Sequence, residues 1–253
     1  MDPERVRKEQ DHFDKVAEQE GYSWWGVGTP AGQLRTKRRA TLVRDALGPS
    51  PAKYVLEIGS GSGEITPYLA DHFKLVVGVD VSFGLLKRFR ERLKGRKVAC
   101  VLADCERLPF KPGTFDAVCG NNILHHLVLD NILPVCVLQL KPGGHLAFAE
   151  PNLVNPQNWI ENKVTFIRRR LPYSPDEMPF TRWHITRYLK KYGLRSIRAV
   201  PFDFLHPLTP KRWIPFISAL GRLIEILPIL GQIAGSLIIS AVKDGNHREE
   251  AAG

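Results

Sequence analysis

The stretch Val55-Leu56-Glu57-Ile58-Gly59-Ser60-Gly61-Ser62-Gly63-Glu64-Ile65-Thr66 decides how the chain is read. Val55, Leu56 and Ile58 suit a buried strand, the run closes on an acid, and glycines then stand at the alternate positions 59, 61 and 63. Lacking side chains, Gly59, Gly61 and Gly63 let the backbone turn sharply and approach a ligand closely. A helical pattern starts directly after them, so the segment predicts strand, ligand loop and helix, with a nucleoside cofactor as the ligand. A GxGxxG dinucleotide fingerprint needs a small residue at position 64, where Glu64 stands, and this weakens the ordinary NAD reading.

Working outward, short apolar runs near 54–58, 75–80, 97–102, 115–120 and 144–149 alternate with helical patterns near 63–72, 82–94 and 130–140. That rhythm predicts an α/β fold with a mostly parallel sheet covered by helices on both faces. Right-handed crossovers then place the glycine loop at the carboxyl edge of the sheet, where open α/β folds bind ligands. Residues 197–204 and 237–242 complete the sheet as strands, giving seven.

Five segments follow: an N-terminal helical arm at 1–48, a cofactor-binding core at 49–150, a lid insertion and helix at 151–194, final strands with an amphipathic insertion at 195–245, and a flexible tail at 246–253. In the arm, a charged helix over 3–20 offers Val6, Phe13, Val16 and Ala17 for burial. A loop with Tyr22, Trp24 and Trp25 follows, and a helix over 33–47 turns Leu34, Leu42, Val43 and Leu47 inward. Prolines at 151, 156, 172, 175 and 179 mark the lid. In the last insertion Trp213, Phe216, Ile217, Leu220, Leu223, Ile224 and Leu227 recur at helical spacing. Such a stripe predicts a lid packed on the core, with a helix lying on a membrane surface as the alternative.

The formal net charge is +10, carried by clusters such as Lys37-Arg38-Arg39 and Arg168-Arg169-Arg170. A solvated basic face is the expectation, because no aromatic-interleaved module accompanies the charge. Cys100, Cys105, Cys119 and Cys136 lack CxxC spacing, so neither zinc nor a disulfide framework is implied. With no apolar signal segment and no 18-residue apolar run, the expected location is the cytoplasm, with peripheral membrane contact left open.

Several motifs in order carry a resemblance. ExGxGxG at 57–63 resembles motif I of the class I S-adenosylmethionine-dependent methyltransferases. Asp80 in VVGVDVS, followed by Val81, falls where that family holds both ribose hydroxyls. Asp104 in ADCERLPF, followed by Cys105, falls beside the family's adenine. FDAVCGNNILHHL and LKPGGHLAFAEPN resemble the fourth- and fifth-strand motifs of the subgroup that methylates ubiquinone and menaquinone precursors. The resemblance covers residues 54–150 and implies a Rossmann-like fold, S-adenosyl-L-methionine as cofactor, and Glu57, Gly59, Gly61, Gly63, Asp80, Val81, Asp104, Cys105 and Asn121 as its contacts.

His125 and His126 follow strand four, at the edge where the methyl group should point, and a histidine can take a hydroxyl proton near neutral pH. His125 and Glu150 are the candidate catalytic residues, while Asp116 is expected to stabilise chain ends. The acceptor is expected to be a small molecule, bulky or apolar, methylated at oxygen or carbon, with Trp159, Phe166, Tyr173, Phe180, Trp183 and Trp213 lining its pocket. No Asn-Pro-Pro-Tyr type of motif is present, which disfavours DNA. An RNA methyltransferase using the basic surface, or a non-catalytic cofactor-binding docking protein, are the alternatives.

Overall fold

The computed structural model describes residues 3–18, 26–50, 53–163 and 180–245. Its sheet is built from β1 (Tyr54–Ile58), β2 (Leu75–Asp80), β3 (Val98–Leu102), β4 (Phe115–Asn121), β5 (Leu140–Pro151), β6 (Leu194–Phe202) and β7 (Ser236–Lys243). The order across the sheet is β3-β2-β1-β4-β5-β7-β6. Strands β1 to β5 pair in parallel, and only β7 runs against its neighbours β5 and β6. The seven-stranded, mostly parallel sheet expected from the sequence is therefore present. The order reverses at β1, between β2 and β4, so the glycine loop after β1 leaves the sheet at the switch point.

Alternation of side chains along the strands supplies a core on each face. Val55 packs in one cluster with Val76, Ala117, Cys119 and Ala147. Leu56 and Ile58 belong to the other, with Val118, Leu146 and Phe148. The first face is covered by α2 (Pro30–Ala46) and α3 (Thr66–Ala70), through Val43, Leu47 and Leu69. The second takes α5 (Leu129–Gln139) and α7 (Arg182–Lys191), through Ile132, Leu133, Ile185 and Leu189. Between them in the chain come α4 (Phe83–Arg92) and α6 (Pro156–Lys163).

Ahead of α2 lies α1 (Pro3–Glu18), which crosses to α4. Ala17 sits where Gly84 leaves room, since a Cβ on Gly84 would come 2.8 Å from Ala17 Cβ. Asp14 accepts hydrogen bonds from the Ser82 hydroxyl and, at 3.1 Å, from Gly84 N–H, adding a carboxylate at the start of α4. The phase of α2 differs from the expected one. Val43 and Leu47 are buried, but Leu34 is 39% exposed, and Gly32, Arg35, Thr36 and Arg39 take the inward line toward a cavity.

The largest departure is at α8 (Ile214–Glu225), flanked by 3₁₀ turns at Lys211–Trp213 and Leu230–Ile233. The expected packing of the whole apolar stripe does not occur. Gly221 is the buried residue of α8, and a Cβ there would come 3.1 Å from Phe204 Cβ. Phe216 is 60% exposed, Leu223 62% and Ile226 77%. The reason is the Arg38–Glu225 ion pair, at 2.5 Å, together with the Glu225 bond to Asp203 N–H. These fix the helix by its polar edge and leave the wide apolar side outward. Among the described residues, no helix is long and apolar enough to cross a membrane.

Candidate active site

A cavity of about 580 Å³ opens at the carboxyl edge of the sheet. Gly59, Gly61 and Gly63 have φ of 63°, 53° and 79°, left-handed conformations that glycine adopts without steric cost. Gly59 and Gly61 line the cavity. Gly63 instead faces inward, where a Cβ would come 2.9 Å from Leu93 and 3.0 Å from Phe89. At the end of β2, Asp80 is buried and anchors the loop: Gly61 N–H donates to Oδ2 and Ser82 N–H to Oδ1, both at 2.9 Å. Burial raises the Asp80 pKa, and the backbone N–H bonds oppose the rise. Each oxygen keeps a second lone pair, so the carboxylate can still accept from two neighbouring hydroxyls.

Val81, Asp104 and Cys105 continue this wall. Asp104 Oδ1 accepts from Glu106 N–H at 2.9 Å, which holds the turn after β3. Burial drives the Cys105 thiol far above its ordinary pKa, so it presents a neutral surface. Glu57 lies beneath the loop and does not line the cavity: its Oε2 accepts from the Thr66 hydroxyl at 2.7 Å. Burial raises its pKa to about 8, with Thr66 opposing. Glu64, by contrast, lines the cavity, bonded by the Ser62 hydroxyl and 3.7 Å from Arg92.

The opposite wall is made where β4 ends. Asn121 lines the cavity, and Asn122 follows it with φ of 54°, a conformation that asparagine tolerates better than most residues. Its Oδ1 accepts from Arg39 at 2.6 Å, while Arg39 also donates to Ser236 Oγ at 2.5 Å. Burial lowers the Arg39 pKa to about 10, with the neighbouring Arg35 adding to the effect. The turned backbone then enters a 3₁₀ turn at Leu124–His126.

Glu150 organises that turn from within β5. It has no exposed surface, and its Oε1 accepts from Ile123 N–H at 2.9 Å and Leu124 N–H at 3.0 Å. Its Oε2 lies 2.7 Å from His125 Nδ1. A carboxylate already holding two backbone donors takes its third from Nδ1–H, which makes Nε2 the acceptor nitrogen of the ring. His125 lines the cavity and Glu150 does not, so the two candidates form a buried pair in which one reaches the cavity through the other. His126 lies beside it, with ring centroids 4.2 Å apart and the planes tilted by 39°, and burial, then His125, lowers its pKa well below the ordinary value.

The expected aromatic pocket is corrected. Trp159 and Trp183 are 52% and 59% exposed, Phe180 is buried in the core, and Trp213 faces outward. Phe166, Tyr173, Tyr22, Trp24, Trp25, the Arg168-Arg169-Arg170 cluster and the tail at 246–253 lie outside the described residues. The phase of α6 explains Trp159. Asn158 donates to Asn152 O and Gly235 O at 2.9 Å each, which turns the polar side of the helix toward the cavity. Apolar walls come instead from Phe13, Ile123, Leu127, Phe204, Leu205 and Leu208.

Arg35, Arg39 and the loop through Asp203 went unrecognised in the sequence. Arg35 pairs with Asp203 at 2.7 Å, and Arg38 with Glu225, so of the Lys37-Arg38-Arg39 cluster only Lys37 is exposed. The spacing of Arg35, Arg39 and Val43 along one helical line was the available signal. Asp116, as expected, is structural: it accepts from Tyr54 N–H and Lys141, both at 2.8 Å. Among the described residues no group of His, Cys, Asp and Glu has the arrangement of a metal site.

Comparison with known proteins agrees with this architecture. The model of a methyltransferase domain family matches residues 56–148. A demethylmenaquinone methyltransferase of Mycolicibacterium gilvum is 36% identical over 163 residues, covering 63% of this chain and 67% of that protein. Another, from Beutenbergia cavernae, is 36% identical over 143 residues, or 54% of this chain. The chain spans about half of that relative's length, 55%. Among solved structures, a methyltransferase of Thermotoga maritima has a TM-score of 0.70 at 19% identity, covering 93% of this chain and 99% of its own. A geranyl diphosphate methyltransferase solved with S-adenosylmethionine has a TM-score of 0.59 at 17% identity, covering 85% and 92%.

The chain belongs to the class I S-adenosylmethionine-dependent methyltransferases. Its cofactor is accordingly S-adenosyl-L-methionine, and the cavity edge fits such a molecule. Asp80 retains acceptor capacity for a vicinal diol, and Glu64, Asp80 and Asp104 make that wall acidic toward a sulfonium cation.

Proposed function

We propose that the protein transfers a methyl group to oxygen or activated carbon of a small, largely apolar acceptor, with His125 as the base. The observation that carries this is His125 on the wall of the same cavity as Asp80 and Asp104, backed at 2.7 Å by the buried Glu150. S-adenosylmethionine supplies an electrophilic methyl on a sulfonium. Asp80 would hold the ribose hydroxyls, Val81, Asp104 and Cys105 the adenine end, and Gly59, Gly61 and Asn121 the backbone path to the methionine end. Glu57 and Gly63 would act one layer back, by holding the loop.

Glu150 keeps the imidazole oriented with Nε2 as acceptor, and it stabilises the imidazolium that forms when His125 takes the acceptor's proton. Phe13, Ile123, Leu127, Phe204 and Leu205 exclude water and favour an apolar acceptor. The relatives named demethylmenaquinone methyltransferases, for a quinone acceptor, support that choice. Peripheral contact of residues 211–230 with a membrane belongs to the same reading.

The test begins with a cell extract, labelled cofactor and mass identification of the product that gains the methyl group. With that acceptor, His125→Asn and Glu150→Gln are expected to lower kcat about 10²- to 10⁴-fold while cofactor affinity by calorimetry stays within about threefold. A kcat within threefold of the wild type for His125→Asn would remove the base from the mechanism.

A further inference from the structure

We infer that the outward face of α8 and the turn after it docks on an anionic lipid bilayer, and that this sets the cavity rim at the membrane surface so that an apolar acceptor enters from the lipid. The inference rests on the apolar-acceptor reading above. Three observations lead to it.

The first is the amount and type of exposed surface. Trp213, Phe216, Leu223, Ile226 and Ile229 are 48%, 60%, 62%, 77% and 82% exposed, contiguous along one helix and its following turn. Scattered apolar residues on a surface need no explanation, but a continuous row of this kind marks a contact surface.

The second is charge. Lys211, Arg212 and Arg222 stand exposed beside the apolar row. The acid of α8, Glu225, is turned inward onto Arg38 and Asp203 N–H. Within residues 211–230 the face thus offers hydrocarbon bordered by exposed cations, on a chain of net charge +10. That combination complements anionic headgroups over acyl chains. A second copy would bring the same cations against themselves.

The third is continuity with the cavity. Phe204 lines the cavity and is also the residue against which Gly221 seats α8. Leu208 lines the rim and is 70% exposed, with Lys211 and Trp213 only a few residues on. The helix that carries the docking face is therefore seated on a residue of the cavity wall, and the short link from Leu208 to Trp213 joins the rim to that face.

Flotation of the 253-residue chain with two kinds of vesicle tests this: phosphatidylcholine alone, and phosphatidylcholine mixed with phosphatidylglycerol. The wild type is expected to float with the mixed vesicles and to be released by high salt. Trp213→Asp/Phe216→Asp is expected to lower vesicle affinity at least about 100-fold, from the loss of two large apolar contacts. Lys211→Glu/Arg212→Glu is expected to abolish the preference for phosphatidylglycerol. Both variants are expected to bind cofactor as the wild type does, which excludes misfolding as the cause.

No flotation of the wild type, or equal flotation of the Trp213→Asp/Phe216→Asp variant, would overturn the inference. So would a wild-type dimer in sedimentation that this variant dissociates, since the occupant would then be a second copy. Flotation is read without any methyl acceptor, so failure of the catalytic reading leaves it decided independently.

Discussion

The carboxyl edge of β1 and β2 and the outer face of α8 treat water in opposite ways. At the edge, Glu57 and Asp80 are carried below the surface and held there by Thr66, Gly61 and Ser82. On α8, Phe216, Leu223 and Ile226 are carried above it with no protein cover among the described residues. Each arrangement costs free energy in the isolated chain: buried carboxylates lose hydration, and exposed hydrocarbon orders water. The contrast teaches that both regions are shaped for something outside the chain: a polar cofactor in one and, under the docking inference above, a hydrocarbon phase in the other.

Asp80→Ala attacks the first side hardest. It removes the carboxylate proposed to accept from two ligand hydroxyls and leaves the Gly61 and Ser82 N–H groups without it, so cofactor affinity by calorimetry is expected to fall about 100-fold or more. Unchanged affinity would break the comparison at its polar end. Glu150→Ala acts on the fold rather than on binding: with the N–H groups of Ile123 and Leu124 and the His125 ring deprived of this acceptor, urea unfolding is expected to show about 3–5 kcal/mol lost. Glu150→Gln, which keeps an oxygen for the two N–H groups, is expected to recover most of that stability but not the activity.

Glu57 gives a pH signature. Its pKa in the folded protein, raised to about 8, lies above that of an unfolded glutamate. The folded state binds the extra proton, so this contribution is complete at pH below the ordinary glutamate value and is lost as pH rises through about 8. Without cofactor, wild-type stability is expected to decline between about pH 5 and 8 by on the order of a few kcal/mol, and Glu57→Gln to flatten the decline. Parallel curves for the two proteins in urea titrations across that range would show that Glu57 is ionised at little cost.

The smallest effect is expected at the other pole. Leu220→Gln and Leu223→Gln preserve helix propensity and remove little buried surface, so unfolding free energy is expected to change by less than about 0.5 kcal/mol. A loss above 2 kcal/mol would mean that the face is covered in solution and would erase the contrast.

The central sheet was legible because its signals are local. A strand such as Val55–Ile58 alternates between two cores, and the glycines at 59, 61 and 63 take conformations that few other residues adopt cheaply. Asp80 and Asp104 were implied by the family motifs that VVGVDVS and ADCERLPF resemble. The phase of α2 was less readable. Leu42 packs against the core as its position suggests, but Leu34 turns outward because Arg35 and Arg39 are drawn inward, a preference set by Asp203, Asn122 and Ser236 far along the chain. Likewise Trp159 and Trp183 looked like pocket walls until the Asn158 bonds to Asn152 and Gly235 set the rotation of α6.

By itself, then, the sequence determined the parallel sheet and the switch-point loop, since strand period and glycine conformation are properties of neighbouring residues, while the acids beside the loop were implied by the family motifs they resemble. Only the tertiary structure decided that Glu150 stands behind His125 rather than in the cavity, and that the apolar stripe after Trp213 faces out. Both depend on hydrogen bonds and ion pairs between residues 25 or more positions apart, such as Glu150 with His125 and Glu225 with Arg38. Which side of an element wins burial is set by those distant partners, and periodicity alone carries no information about them.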